Sequence, residues 1–250
     1  MFVLYRPRWP SLRAQALQVF QSAHALARLG VEVTVAYHPG DGDPYAWFGS
    51  TPVDGLHLVP LPSGGTAASL AFRVHVARWA RRPGVFLARE KKLADRVLRA
   101  FPRHPVVLEA HEVDSLQGRD TLALERRVLA GVRALLCNCE GVRSGLAWMH
   151  DLPPVVRVVH NAGPPPLRLA RGQGTVYAGS LLAEKDLETL ARAAPDLGGV
   201  TLLGDHEPAR LAGLQDLARG ALDVRGGVSP AVLLPTLAQF EVGLLPLGTG

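Results

Sequence analysis

Cysteine is scarce in this chain of 250 residues. The two present, Cys137 and Cys139, stand one residue apart in an apolar run. Both therefore point to one face of a strand and cannot staple distant segments together, which excludes a disulfide scaffold and leaves reduced core thiols. No stretch approaches the roughly 18 uninterrupted apolar residues that a membrane-spanning helix needs. The opening MFVLYRPRWP meets arginine and proline too early for a secretory signal, so the expected location is the cytoplasm. Several catalytic signatures are missing: there is no G-x-S-x-G elbow, no G-x-x-x-x-G-K-S/T loop, no complete G-x-G-x-x-G after the first strand and no C-x-x-C. Hydrolases, P-loop enzymes and dehydrogenases are thereby disfavoured. The string H-E-V-D-S at 111–115 lacks the second histidine at i+4 that a zinc helix requires, and no metal is expected.

What is present is the composition of a globular chain, 48% hydrophobic and 20% charged, with room for one large domain or two smaller ones. Charge is unevenly spread. Residues 67–104 hold ten basic and two acidic side chains, a net +8, so the remainder of a chain of net charge +5 sums to −3. Such a segment either raises the local concentration of anionic partners, phospholipid head groups of a membrane surface, nucleic acid or phosphorylated substrates, or is simply a solvated helix face. Its few aromatics and the lack of a recognisable binding motif argue against nucleic acid.

The hydrophobic pattern gives an order of elements. A short apolar run at 2–6 is followed by Leu12, Ala16, Val19, Phe20, Ala23, Leu26 and Ala27, whose spacings of three and four mark a helix capped by Ser11 and stopped by Gly30. VEVTVAYH then reads as a strand, completing a βαβ opening. Further short apolar runs lie around 55–62, 84–90, 105–112, 133–141 and 155–163, with helical patterns at 67–80, 91–101, 120–132 and 142–149. This alternation predicts a parallel sheet covered by crossover helices, a Rossmann-like domain over 1–165. The proline-rich stretch after Gly163 reads as a linker. Beyond it four strands and three helices predict a second Rossmann-like domain over 166–250, ending after a strand with its sheet incompletely covered. Association through that uncovered sheet edge is expected.

Four strings in order, LEAHEVDS at 108–115, LERRVLAGVRALLCNCEGV at 124–142, NAG at 161–163 and YAGSLLAEKDLETL at 177–190, resemble family 4 of the GT-B glycosyltransferases. The resemblance covers nearly the whole chain, and YAGSLLAEKD is its most specific part. It implies an α/β protein of two Rossmann-like domains, the second one incomplete, and a retaining transfer of a sugar from a nucleotide diphosphate donor without a metal. The acceptor, a sugar or a lipid-linked one, would be bound mainly by the first domain.

The chemical demand is to stabilise a departing diphosphate. By resemblance to the family's G-R-x-x-x-E-K turn, Gly179 and Lys185 take donor-phosphate roles, while Ser180 stands where an arginine is expected and supplies a hydroxyl without a charge. His111, at the carboxyl end of a strand, takes the place of a histidine that approaches the transferred sugar, with Glu109 and Glu112 as nearby carboxylates. The first turn, RPRWPSLRAQ, departs from the commoner family pattern in lacking glycine. There Ser11, with Arg6, Arg8 and Arg13, either holds an anion at the helix start or is solvated. Asn161 matches the family's hinge position and suits a turn equally well. The family's acidic pair, which holds donor sugar and ribose on a later helix, is not found before Gly250. The alternative reading is a truncated or non-catalytic GT-B-like binding protein.

Overall fold

The computed structural model describes residues 1–62, 65–117, 121–161, 172–179, 185–205 and 207–246. The chain divides into two compact units, one of Met1–Gly42 with Thr51–Pro164 and one of Asp43–Ser50 with Pro165–Gly250. The linker at 162–171 lies outside the described residues. The first domain expected over 1–165 is interrupted, because residues 43–50 group with the second unit.

In chain order the first half contains β1 (Phe2–Leu4), β2 (Arg8–Trp9), α1 (Ala14–Arg28), β3 (Val33–Pro39), α2 (Pro44–Phe48) and β4 (Leu56–Pro60). There follow α3 (Gly65–Trp79), β5 (Phe86–Ala88), α4 (Lys91–Ala100), β6 (Val106–Ala110), a 3-10 turn at Asp114–Gln117, α5 (Leu122–Gly131), β7 (Ala134–Cys137), α6 (Glu140–Met149) and β8 (Val156–Val158). Among the described residues the first unit holds one eight-stranded sheet of order β2-β3-β1-β5-β6-β7-β8, with β4 also paired to β3. Its ladders run parallel. Leaving out the two-residue β2, the chain runs outward in one direction from β1 through β3 to β4, then returns to β5 on the other side of β1. The order therefore reverses between β1 and β5, and such switch points open a crevice at the carboxyl ends of the strands.

Burial follows the periods read from the sequence. β1 and β5 are buried at every residue, as strands covered on both faces must be. In β6, Val106, Leu108 and Ala110 enter the core while Val107 and Glu109 take the other face. On α1 the buried side chains are Ala16, Val19, Phe20, Ala23 and Ala27, one stripe of a helix. Gly30 ends it at φ 83°, a left-handed conformation that glycine adopts without a Cβ penalty, and its N–H donates to the Ala27 carbonyl.

The start of α1 differs from the expectation. Arg13, not Ser11, is the cap residue; the Ser11 hydroxyl accepts from the Arg13 N–H at 3.2 Å, just outside the helix. The preceding loop is tied down by Trp9, which is fully buried, stands 5.5 Å from the Phe20 ring and 5.4 Å from Tyr37, and donates its Nε1–H to the Ala16 carbonyl. That anchoring separates the arginines of the loop. Arg6 turns to α3, donating to Ser69 Oγ at 3.2 Å and lying 5.3 Å over the Phe72 ring, while Arg8 and Arg13 are exposed.

The second unit contains β9 (Thr175–Ala178), α7 (Leu187–Ala193), β10 (Val200–Leu203), α8 (Pro208–Ala218), β11 (Leu222–Arg225), α9 (Pro230–Leu237) and β12 (Val242–Leu244). Its parallel sheet has the order β11-β10-β9-β12, with β11 and β12 at the edges among the described residues. Tyr177, Leu187, Leu190, Val200, Leu202 and Leu214 form its core. Helix α2, which the sequence pattern did not show, packs against α9 within this unit.

At the carboxyl ends of β9 and β10 the backbones of Gly179 and Gly204 meet so closely that a Cβ on Gly204 would stand 2.0 Å from the Gly179 carbonyl oxygen. Gly204→Ala should therefore destabilise the unit by about 1–3 kcal/mol, the usual cost of forcing extra volume into a packed site. Urea denaturation reads the effect, and an unchanged midpoint would show that the two turns separate freely.

Candidate active site

A cavity of about 250 Å³ opens in the first unit at the carboxyl ends of β1, β5 and β6, the side of the sheet where the strand order reverses. Tyr5 follows β1, Arg89 to Lys92 follow β5, and Glu109 to Glu112 run from the end of β6 into the next loop; all line it. The fold thus brings together side chains that are far apart in sequence because β1, β5 and β6 are neighbours in the sheet.

At its centre Arg89 reaches His111 and Glu109. Arg89 Nη2 lies 2.6 Å from His111 Nε2 and donates to Gln18 Oε1 at 2.9 Å, while its Nε is 3.5 Å from Glu109 Oε2. His111 Nε2 is also 2.8 Å from Glu109 Oε1. One nitrogen cannot serve both neighbours at once. As a bare lone pair it accepts from Arg89, and carrying a proton it donates to Glu109. Which neighbour it serves is decided by whether Nε2 carries the ring proton.

Electrostatics follow from burial and pairing. The Arg89 side chain is 5% exposed. Its Nη1 is buried with no hydrogen-bond partner among the described residues. Burial draws the guanidinium pKa below its ordinary value against the opposing pull of Glu109 and Tyr5. Burial pushes the Glu109 carboxyl up, but the His111 hydrogen bond and the Arg89 and His111 charges outweigh it and hold it below the usual carboxylate range. Burial and the nearby Glu90 raise the Tyr5 phenol, with Arg89 and Arg13 opposing.

A second network supports the wall of the cavity. Glu125 on α5 is 0% exposed. Its carboxylate accepts from Lys91 Nζ at 2.6 Å, from the Asp114 N–H at 3.0 Å, from the Ser115 N–H at 3.2 Å and from the Ser115 hydroxyl. His150 Nε2 adds a contact at 3.2 Å. Burial raises this carboxyl, and the hydrogen bonds from Lys91, Ser115 and His150 together with the Lys91 charge override it, lowering the pKa to about 2. Lys91 in turn meets Asp114 Oδ2 at 3.1 Å and the Glu112 carbonyl at 3.2 Å. One buried carboxylate and one lysine thus fix the loop that carries His111 and Glu112 to the start of α4.

The residues singled out in the sequence fall in several places. Glu109, His111 and Glu112 line the cavity. Ser11 and Arg13 are not among its lining residues, and Asn161 is exposed just after β8. In the second unit Gly179 follows β9, its N–H bonded to the Leu203 carbonyl at 2.9 Å, and Lys185 is half-buried just before α7. Ser180 lies outside the described residues, as does Gly250. A second cation stands beside Lys185: Arg210, on the first turn of α8, donates from Nη2 to the Lys185 carbonyl at 3.4 Å, and its Nε is buried without a partner among the described residues. Among the described residues no group of three or more His, Cys, Asp or Glu side chains is placed to hold a metal ion.

Arg89, Lys91, Glu125 and Arg210 were missed as site residues. Arg89 and Lys91 were counted in the basic segment 67–104, which the structure breaks up. These two are buried in ion pairs, Arg99 pairs with Asp95, and Arg73 and Arg96 face a separate groove. Arg89 and Lys91 are thereby withdrawn from whatever cationic face the segment presents, while Arg78, Arg81, Arg82, Lys92 and Arg103 are exposed. Position is the signal: Arg89 lies at the end of the predicted strand 84–90 and Lys91 just after it, at the same carboxyl end of the sheet as His111.

No curated protein matches the chain. Solved structures match its fold. Sucrose-phosphate synthase from Thermosynechococcus elongatus superposes with a TM-score of 0.72 at 14% identity, covering 99% of this chain and 76% of that one. WaaG, a glycosyltransferase involved in lipopolysaccharide biosynthesis, gives 0.66 at 15% identity over 98% and 74% of the two chains. HepE of Anabaena in complex with UDP-glucose gives 0.66 at 12% identity over 99% and 74%. No helix among the described residues is long and apolar enough to cross a membrane. The model of glycosyltransferase family 4 matches residues 15–162, more than half of the sequence and all of the region that builds the Arg89–His111–Glu109 cluster. With this match and a fold of two parallel α/β units, the chain belongs to glycosyltransferase family 4.

Proposed function

We propose that the protein moves a sugar from a nucleoside diphosphate donor to a sugar or lipid-linked acceptor, with retention of configuration and without a metal ion. The observation that carries this reading is the Arg89–His111–Glu109 cluster in a cavity at the switch point of the first sheet. In the first unit that cavity takes the reacting sugar and the acceptor hydroxyl. In the second unit Lys185 supplies one cation for the diphosphate, and Arg210 offers the charge that Ser180 does not. As the glycosidic bond breaks, negative charge grows on the phosphate oxygens, and cations already in place stabilise it without reorganisation.

HepE binds UDP-glucose, so UDP is the first nucleotide to test here. Calorimetric titration with UDP is expected to show binding that Lys185→Ala and Arg210→Ala each weaken by about tenfold or more, the loss of one charge-assisted hydrogen bond. Unchanged affinity in both variants would count against the assigned phosphate roles. Transfer should persist in EDTA, and NMR of the first product formed should show the donor's anomeric configuration. An inverted product or a chelator-sensitive rate contradicts the proposal.

A further inference from the structure

Helices α3 and α4 leave between them a second cavity, of about 390 Å³, within the first unit. This lies in the range of roughly 300–1,000 Å³ in which proteins hold small ligands. Its floor is apolar. Phe72 and Val76 come from α3, Leu93 and Val97 from α4, and Phe101 from the residue after α4. Three arginines, Arg6, Arg73 and Arg96, also line it, and among the described residues no acidic one does. Arg73 and Arg96 are exposed, with no hydrogen bond or ion pair among the described residues. Arg6 is held in place by Ser69 and by the Phe72 ring.

An apolar trough with three cationic side chains is complementary to a molecule with a hydrocarbon chain and an anionic oxygen-rich head. Arginine forks suit a phosphate best. Leu4 and Arg6 line the groove, while Tyr5 between them lines the Arg89–His111 cavity, so β1 and the residues after it contribute to both from opposite sides of the chain segment.

We propose that this groove binds a lipid phosphate, its chain lying along Phe72, Val76, Leu93 and Val97 and its phosphate held by Arg6, Arg73 and Arg96. The lipid is the acceptor's anchor, an assignment of role that rests on the transferase reading; the binding itself does not.

Dodecyl phosphate below its micelle concentration is the probe, titrated calorimetrically into the intact chain. Saturable one-to-one binding is expected. The double variant Arg73→Gln/Arg96→Gln should weaken it by at least about tenfold, or about 1.4 kcal/mol. Shortening the chain should cost about fourfold per methylene removed from the groove. Ala77→Trp, which fills the groove from α3, should abolish binding, and inorganic phosphate at equal concentration should not compete. Circular dichroism spectra and UDP affinity of the same variants check that folding and the donor reading are intact, so a failure here is distinguishable from a failure there.

Three results would each overturn the proposal. The first is equal binding of dodecyl phosphate by wild type and the double arginine variant. The second is equal binding of uncharged dodecyl maltoside. The third is a dimer in sedimentation that Ala77→Trp dissociates, which would make a second copy of the chain the occupant.

Discussion

Replacing Arg89 by alanine is expected to lower the rate of sugar transfer by about a hundredfold or more while leaving UDP affinity nearly unchanged. Removing one preorganised electrostatic partner from an active site commonly costs that much. Arg89 is the side chain that joins the cluster, through His111, Glu109 and Gln18, and its buried Nη1 has no partner among the described residues. Arg89→Lys should rescue little, because one ammonium cannot reach three acceptors that a planar fork serves together.

The pH profile separates this role from a merely structural one. Glu109 is held below the usual carboxylate range in part by the Arg89 charge. Without that charge its pKa rises, so the acid limb of kcat/KM should move to higher pH in Arg89→Ala. His111→Ala should likewise reduce transfer far more than donor binding, and the two substitutions together should cost less than the product of their separate effects, since both dismantle one unit. A normal rate in Arg89→Ala would remove the cluster from the mechanism.

The largest stability effect is expected at Glu125. Its carboxylate holds Lys91, the loop at 114–115 and His150 while fully buried. Glu125→Ala leaves two backbone N–H groups without their acceptor and Lys91 with only Asp114 and the Glu112 carbonyl, and deleting one partner of a buried ion pair typically costs about 3–5 kcal/mol. Urea unfolding measures it, with Glu125→Gln expected to fall between wild type and alanine because it keeps an acceptor oxygen but no charge.

The pH dependence has a definite sign. Glu125 is lowered to about 2 in the folded chain, against roughly 4.3 for an unfolded glutamate, and that difference is worth about 3 kcal/mol. This stability is fully present above the unfolded value and is lost as the pH falls from about 4 towards 2. Glu125→Gln should flatten that part of the stability curve; a curve of wild-type shape would place the acid sensitivity elsewhere.

Much of the fold was legible because strand and helix periods are local properties. The stripe Ala16, Val19, Phe20, Ala23, Ala27 and the buried runs of β1 and β5 need no partner to be recognised. His111 and Glu109 were also legible, since the end of a strand in a parallel sheet is where ligands bind and both sit at one. The short α2 was not. Five residues carry too little periodicity, and what holds them is α9, nearly two hundred residues later. Ser11 illustrates the same point at a helix start: a serine near the first turn fits a cap, but the path set by the buried Trp9 makes Arg13 the boundary residue.

The sequence by itself determined the alternation of strands and helices, the family and the place of Glu109 and His111 at the carboxyl end of a strand, because each depends on residue types at fixed separations along the chain. Only the tertiary structure decided what the cations do. Arg89 became a buried partner of His111, Lys91 a tie to Glu125, and Arg73 and Arg96 the rim of an apolar groove. A charge count cannot distinguish these fates. The surroundings of a side chain are set by which distant strand lies beside its own, and the pairing of β1 with β5 and of β5 with β6 arises from burying apolar faces across the whole sheet.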